Sequence, residues 1–153
     1  YQQALKDAGL GINPRHILLA LESGRRLDSQ LIRQVFMAPD APTAIFLLAD
    51  FWAPAVYKEL QTLGLRVPDD VALVGFDDVV QPGLEGIELT SMAQDFEGIG
   101  RSAAELVLQR IEDPDAPAAT IVDPTPLRIR RSSPPPRRTA SRIAVREPVL
   151  VVS

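Results

Sequence analysis

Three carboxylates in this chain of 153 residues stand where chemistry could be placed: Asp50, Asp77 and Asp78. Asp50 closes the apolar run at 43–49, and Phe76 carries the run at 71–75 into Asp77 and Asp78. Both runs are short and rich in branched side chains, which suits strands buried on both faces. Between them Val56, Leu60 and Leu63 fall at helical spacing, with Gly64 placed to end the helix. Two parallel strands joined by a helix form a right-handed crossover. Open sheets of that kind bind ligands beyond the carboxyl ends of their strands, so Asp50 and Asp77 are candidate ligand contacts at one rim. An ionised carboxylate accepts charge-assisted bonds, and its two oxygens match vicinal hydroxyls. The same acids suit a divalent cation and an α/β phosphoryl-transfer enzyme. No phosphate-cradling glycine loop, nucleophile or lysine stands beside them, however. The plain alternatives are a loop cap for Asp77, a loop-orienting role for Asp78 and a helix cap for Asp50.

The remaining elements must hold that rim. Ala4, Leu5 and Ala8 mark one face of a helix that ends near Gly9, and Asn13-Pro14 signals a turn. Residues 17–21 read as a strand, broken by Ser23-Gly24. Leu27, Leu31, Ile32, Val35 and Phe36 then trace a helix that Pro39 stops. Arg25 and Arg26 lie at the mouth of that helix. The guanidinium of Arg26 suits a carboxylate or phosphate on a ligand, its plain alternative being a solvated surface arginine. Pro54 moves the start of the central helix to itself and leaves Phe51 and Trp52 in an irregular mouth. Trp52, the lone tryptophan, reads as core or subunit-contact packing ahead of pocket lining. Residues 79–88 form a loop around Pro82, Gly83 and Gly86, and 89–92 a short strand. Asp95 is placed to cap a helix whose apolar stripe runs through Phe96, Ile99, Ala103, Leu106, Val107 and Ile111.

Bulk properties narrow the classes. The chain suffices for one domain with a sizeable core. It has no cysteine and a single histidine, His16, which argues against disulfides, thiolate or histidine metal clusters and a Ser-His-Asp triad. His16 itself reads as structural or surface. Formal net charge is −4; seven arginines against Glu147 give +6 from Arg128 onward, leaving −10 for the remainder. An acidic body argues against direct nucleic-acid binding. No apolar run reaches membrane-spanning length and no basic, then apolar, signal segment opens the chain. Together these predict a cytoplasmic protein without membrane partners, cofactors or metals.

Residues 42–50, the helix end at Gly64, Leu65-Arg66-Val67-Pro68-Asp69-Asp70-Val71 and Val74-Gly75-Phe76-Asp77-Asp78 resemble the LacI/GalR family of transcriptional regulators. The likeness continues through Leu89-Thr90-Ser91, Gln94-Asp95-Phe96 and Gly100 to Arg131-Ser132, covering residues 1–133. It implies the α/β effector domain of the periplasmic-binding-protein type (type I): a parallel sheet with flanking helices, truncated at its N-terminus. Its implied role is effector sensing and homodimerisation in a non-enzymatic regulator that binds a sugar- or nucleoside-like ligand. DNA contact then belongs to a headpiece outside this chain. By the same resemblance Asp77 accepts bonds from ligand hydroxyls, Gln94 bonds the ligand, and Phe96 packs against it. Ala49 departs from the asparagine common in relatives, which removes one polar contact; Arg26 stands near where relatives often place a stacking ring. A transport-type solute-binding protein is the nearest alternative. The resemblance assigns residues 1–133 to a partial sensing domain, mostly its second lobe, with 96–123 from the first, including a strand at 120–123. With most of that lobe absent, the stripe from Phe96 is expected to be an uncovered apolar patch or to dock onto the remaining lobe. Residues 134–153 read as a disordered Pro/Arg-rich tail, in which 149–152 is strand-like without an evident partner.

Overall fold

A computed structural model describes residues 1–18, 28–80, 82–84, 86–133 and 149–152. In chain order these form helix α1 (Gln2–Asp7), a 3-10 turn (Pro14–His16), strand β1 (Ile17–Leu18) and helix α2 (Ser29–Phe36). Strand β2 (Ala44–Leu47), a second 3-10 turn (Asp50–Trp52), helix α3 (Ala53–Thr62) and strand β3 (Ala72–Asp77) follow. Strand β4 (Thr90–Ala93), helix α4 (Phe96–Glu112) and strands β5 (Leu127–Arg128) and β6 (Val149–Val152) complete the order.

The strands make one six-stranded open sheet in the order β1-β6-β2-β3-β4-β5. All neighbours are parallel except the β4–β5 pair. The central crossover forms as its pattern requires. Ile45, Leu47 and Leu73 from the sheet and Val56 and Leu60 from α3 are fully buried together. Ile32, Val35 and Phe36 bring α2 onto the same core, and Trp52 joins it at 8% exposure. Asp28 caps α2 by accepting from the Gln30 and Leu31 amides, and Gly64 takes the left-handed φ of 74° that ends α3.

Several expectations change. The helix after β2 begins at Ala53, with Pro54 inside its first turn. Residues 120–123 form no strand: Ile121 and Val122 are 49% and 86% exposed and have no ladder partner among the described residues. The run at 149–152, expected within an unstructured tail, is an interior strand between β1 and β2, parallel to both. Residues 134–148 of that tail lie outside the described residues, as do residues 19–27 with the end of the first strand. Helix α4 buries none of its residues: Phe96, Val107, Leu108 and Ile111 are all more than half exposed. This is the uncovered face the sequence leads one to expect, in place of a helix docked on the sheet. No described helix is long and apolar enough to cross a membrane.

Candidate functional site

Asp50 sits at the end of β2, where the chain turns into the 3-10 segment instead of straight into α3. Its side chain does not cap that helix. It crosses beneath β3 and is 1% exposed. The Ser91 hydroxyl donates to its carboxylate (Oδ1 at 2.8 Å, Oδ2 at 3.1 Å), and the Val79 amide donates to Oδ2 at 3.0 Å. The crossing is possible only because position 75 is glycine: a Cβ there would stand 1.9 Å from Asp50 Oδ1. Burial pushes the Asp50 carboxyl above the usual carboxylate range, the bonds from Ser91 and Val79 pull it back, and the negative Asp77 nearby pushes it up again. Asp50 thus ties β2, β4 and the loop after β3 together from inside; at 1% exposure it is a buried tie and not the ligand contact its strand-end position suggests.

Asp77 ends β3 half-buried at the rim, opposite Ala93 of β4. Its φ of 112°, followed by 59° at Asp78, throws the chain off the sheet in two left-handed steps. Non-glycine residues hold such angles at a cost of roughly 1–3 kcal/mol each, met by surrounding contacts. Here the Gln94 amide nitrogen donates to Asp77 Oδ1 at 2.5 Å, and the Gln94 backbone N–H donates to the Asp77 carbonyl at 3.3 Å. Gln94 and Asp77, far apart in sequence, therefore meet at the carboxyl ends of adjacent strands. Two residues on, Phe96 opens α4 and is 52% exposed, behind the Asp95 cap that accepts from the Gly98 amide at 2.9 Å. Gln94 and Asp95 also border a groove of about 420 Å³ running along Ile99, Ala103 and Leu106. Arg26 lies outside the described residues.

Asp78 turns the other way, to Arg130. The guanidinium donates to Asp78 Oδ1 at 2.5 Å and to the Leu89 carbonyl at 2.7 Å, while the Asp78 amide donates to Ser91 Oγ at 3.1 Å. The Arg130 bond holds the Asp78 carboxyl below its ordinary value. Asp78 and Arg130 border a recess of about 410 Å³ with Val79, Leu84 and Ile87. Below, Ser132 is 1% exposed, accepts from the Thr90 amide at 2.8 Å and donates to the Leu73 carbonyl at 2.5 Å. The three acids are thus divided: one internal tie, one loop anchor, one rim acceptor. No cluster of three or more His, Cys, Asp or Glu suited to a metal occurs among the described residues. Asp50 is bonded by Ser91 and Val79, and Asp78 by Arg130.

Sequence reasoning gave no role to Ser91 or Arg130. A signal exists in the hydroxyls of Thr90 and Ser91, set in a strand that otherwise reads as buried: both are at most 1% exposed and need partners. His16, read as structural or surface, is 2% exposed, with its Nε2 3.4 Å from the Asn13 amide nitrogen.

A family described as the periplasmic binding protein-like domain matches residues 1–133. The ribose operon repressor of Haemophilus influenzae is 31% identical over 128 residues, covering 82% of this chain and 38% of that protein. The HTH-type transcriptional repressor PurR of Aliivibrio salmonicida is 31% identical over 113 residues, covering 74% of this chain and 34% of its own length. The chain thus spans little more than a third of these two relatives. Among solved structures, the transcriptional regulator CelR in complex with cellobiose superposes with a TM-score of 0.68 at 30% identity, over 87% of this chain and 40% of that one. A LacI family regulator from Enterococcus faecium with bound ribose gives 0.67 at 26% identity, over 86% of this chain and 48% of that one.

Proposed function

Because this chain belongs to the LacI/GalR family, as part of its periplasmic-binding-protein-like effector domain, we propose that it senses a small polyhydroxylated ligand for a transcriptional regulator. The ligand sits at the carboxyl rim of β3 and β4. Asp77 accepts from its hydroxyls, Gln94 exchanges its bond to Asp77 for bonds to the ligand, and Phe96 offers an apolar face. Arg26 is proposed as a fourth contact from the sequence alone, and Asp50 as the buried strut that keeps the rim in place. The observation that carries the reading is the Asp77–Gln94 pair, an acceptor and a donor held together at the sheet end where open α/β sheets take ligands. Support for a carbohydrate class comes from neighbours solved with cellobiose and ribose.

The full-length protein acts as a homodimer in the cytoplasm, with DNA contacted by a headpiece outside residues 1–153. Ligand regulates it only by favouring one arrangement of the whole protein over another. The test is a thermal-shift screen of pentoses, disaccharides and nucleosides on the full-length protein, followed by a gel shift with the stabilising compound. A carbohydrate that raises the melting temperature and alters operator binding supports the reading. Stabilisation by none, or stabilisation retained in Asp77→Ala, contradicts it.

A further inference from the structure

Asp77 and Asp78 hold left-handed φ angles of 112° and 59° in succession, and the chain after β3 folds back along the sheet. The partners show the fold-back. The Asp78 amide donates to Ser91 Oγ at 3.1 Å and the Val79 amide to Asp50 Oδ2 at 3.0 Å, and Ser91 lies opposite Gly75, two positions before Asp77. An L residue keeps such angles only where its surroundings impose them. On the rim side Gln94 holds Asp77 through its carboxamide and its backbone N–H. On the other side Arg130 holds Asp78, and Arg130 is itself fixed at both its backbone and its side chain. Its N–H donates to Thr90 Oγ1 at 2.8 Å, its carbonyl accepts from the same hydroxyl at 3.1 Å, and its guanidinium spans the Leu89 carbonyl and Asp78 Oδ1. Thr90 is 1% exposed and opens β4, so Arg130 is based at the amino end of that strand. It borders the recess beside Asp50, whereas Gln94 and Asp95 border the groove along α4.

The two holds differ in what becomes of them. In the sensing role Gln94 gives up its bond to Asp77 for the ligand, so the rim loses a restraint just when it must present a carboxylate in a fixed direction. The Arg130–Asp78 pair is kept. A charge-assisted bond is roughly twice as strong as a neutral one, and this pair is partly shielded, with side chains 35% and 22% exposed against 67% and 85% for Arg101 and Glu97. We propose that Arg130 is a positioning residue for the ligand site: by holding Asp78 it fixes the left-handed pair and aims the Asp77 carboxylate, without itself touching the ligand. The inference rests on the sensing role given to Asp77. It extends that role to a residue that follows β5, on the far side of β4 from Asp77.

The test compares the unaltered full-length protein with Arg130→Gln, Asp78→Asn and the double variant by hydrogen exchange at single amides. The Val79 and Gln94 amides, bonded to Asp50 and to the Asp77 carbonyl, report the held turn. The Leu73 amide, bonded to the Ser132 carbonyl at 2.8 Å, reports the sheet. Arg130→Gln should speed exchange at Val79 and Gln94 by about tenfold or more, as expected for one lost bond to a charged group, with Leu73 unchanged. The double variant should be no faster at Gln94 than Arg130→Gln alone, because both changes break the same bond. Unchanged exchange at both amides, equal acceleration at Leu73, or multiplied effects in the double variant overturns the role. D-ribose and cellobiose then serve as probes of the ligand site. Arg130→Gln should raise the Kd of whichever sugar the unaltered protein binds by about tenfold. An unchanged Kd beside faster exchange overturns the link to the ligand. Binding of neither sugar by the unaltered protein contradicts the carbohydrate reading instead, and the hold on Asp78 is decided by the exchange measurement, which needs no ligand.

Discussion

Replacing Gly75 by alanine isolates the device that holds the rim together. The added Cβ would lie 1.9 Å from Asp50 Oδ1 and 3.1 Å from its Cγ, with Leu89 Cδ2 at 3.0 Å on the other side. Ordinary contact begins near 3.4 Å, so the carboxylate must retreat by about 1.5 Å (3.4 − 1.9), or the strands must part. Either movement stretches the bonds from Ser91 and Val79 past hydrogen-bonding distance. A hydrogen bond to a charged group contributes about 1.5–3 kcal/mol, so two are worth about 3–6 kcal/mol. Alanine recovers roughly 0.5–1 kcal/mol of chain entropy relative to glycine. The net loss is then about 2–5 kcal/mol, a large share of the roughly 5–15 kcal/mol that holds a domain folded. Trp52 is the sole tryptophan, 8% exposed and two residues from Asp50, so its fluorescence reports urea unfolding directly. With a urea slope of about 2 kcal/mol per molar, the midpoint should fall by about 1–2 M. Combining Gly75→Ala with Asp50→Ala should cost clearly less than the two single changes summed, because the clash is between those two side chains. An unchanged midpoint for Gly75→Ala, or strict additivity in the double variant, refutes the internal-tie role of Asp50.

Three further outcomes follow from the same structure. Ser132→Ala removes an acceptor for the Thr90 amide and a donor for the Leu73 carbonyl in a fully buried place, and should lower stability by about 1–3 kcal/mol in the same urea assay. Asp78 has a folded-state pKa below its unfolded value, so its contribution is present above about pH 4 and is lost as pH falls through the folded value. Asp78→Asn should therefore flatten the acid limb of stability measured from pH 5 to 2, but only in part, since Asp70, held at about 2 by Arg66, shapes the same limb. Val107→Lys with Ile111→Lys on the open face of α4 should change stability by less than about 0.5 kcal/mol and reduce hydrophobic-dye binding, because both side chains are more than half exposed.

The central crossover was readable because period, length and end signals agreed: a short apolar run, a helical stripe, Gly64, a second run. The rim is readable as a place, and the family resemblance proposes Asp77, Gln94 and Phe96 for it. The structure brings Asp77 and Gln94 into contact and leaves Phe96 open. What the sequence did not show is the division of labour among three similar acids. Residue type cannot say that Asp50 points inward; that depends on a missing Cβ at Gly75 and a hydroxyl at Ser91, on different strands. Arg130 was hidden for a related reason, as one of several arginines in a basic stretch, distinguished only by reaching Asp78 and the Leu89 carbonyl. β6 escaped because a four-residue strand is defined by its neighbours, and those neighbours, β1 and β2, lie more than a hundred residues earlier in the chain. The expected strand at 120–123 failed by the same rule: strand-like residues without an adjacent edge remain unpaired.

Calorimetric titration of the full-length protein with the carbohydrate that the thermal-shift screen selects, comparing the unaltered protein with Asp77→Asn and Asp69→Asn, addresses the proposed site most directly. Asp77→Asn should weaken binding by roughly 10–100-fold, the equivalent of about 1.5–3 kcal/mol for lost charge-assisted bonds. The surface control Asp69→Asn should leave affinity unchanged. Equal affinity in all three proteins would contradict a ligand held by the carboxylate at the end of β3.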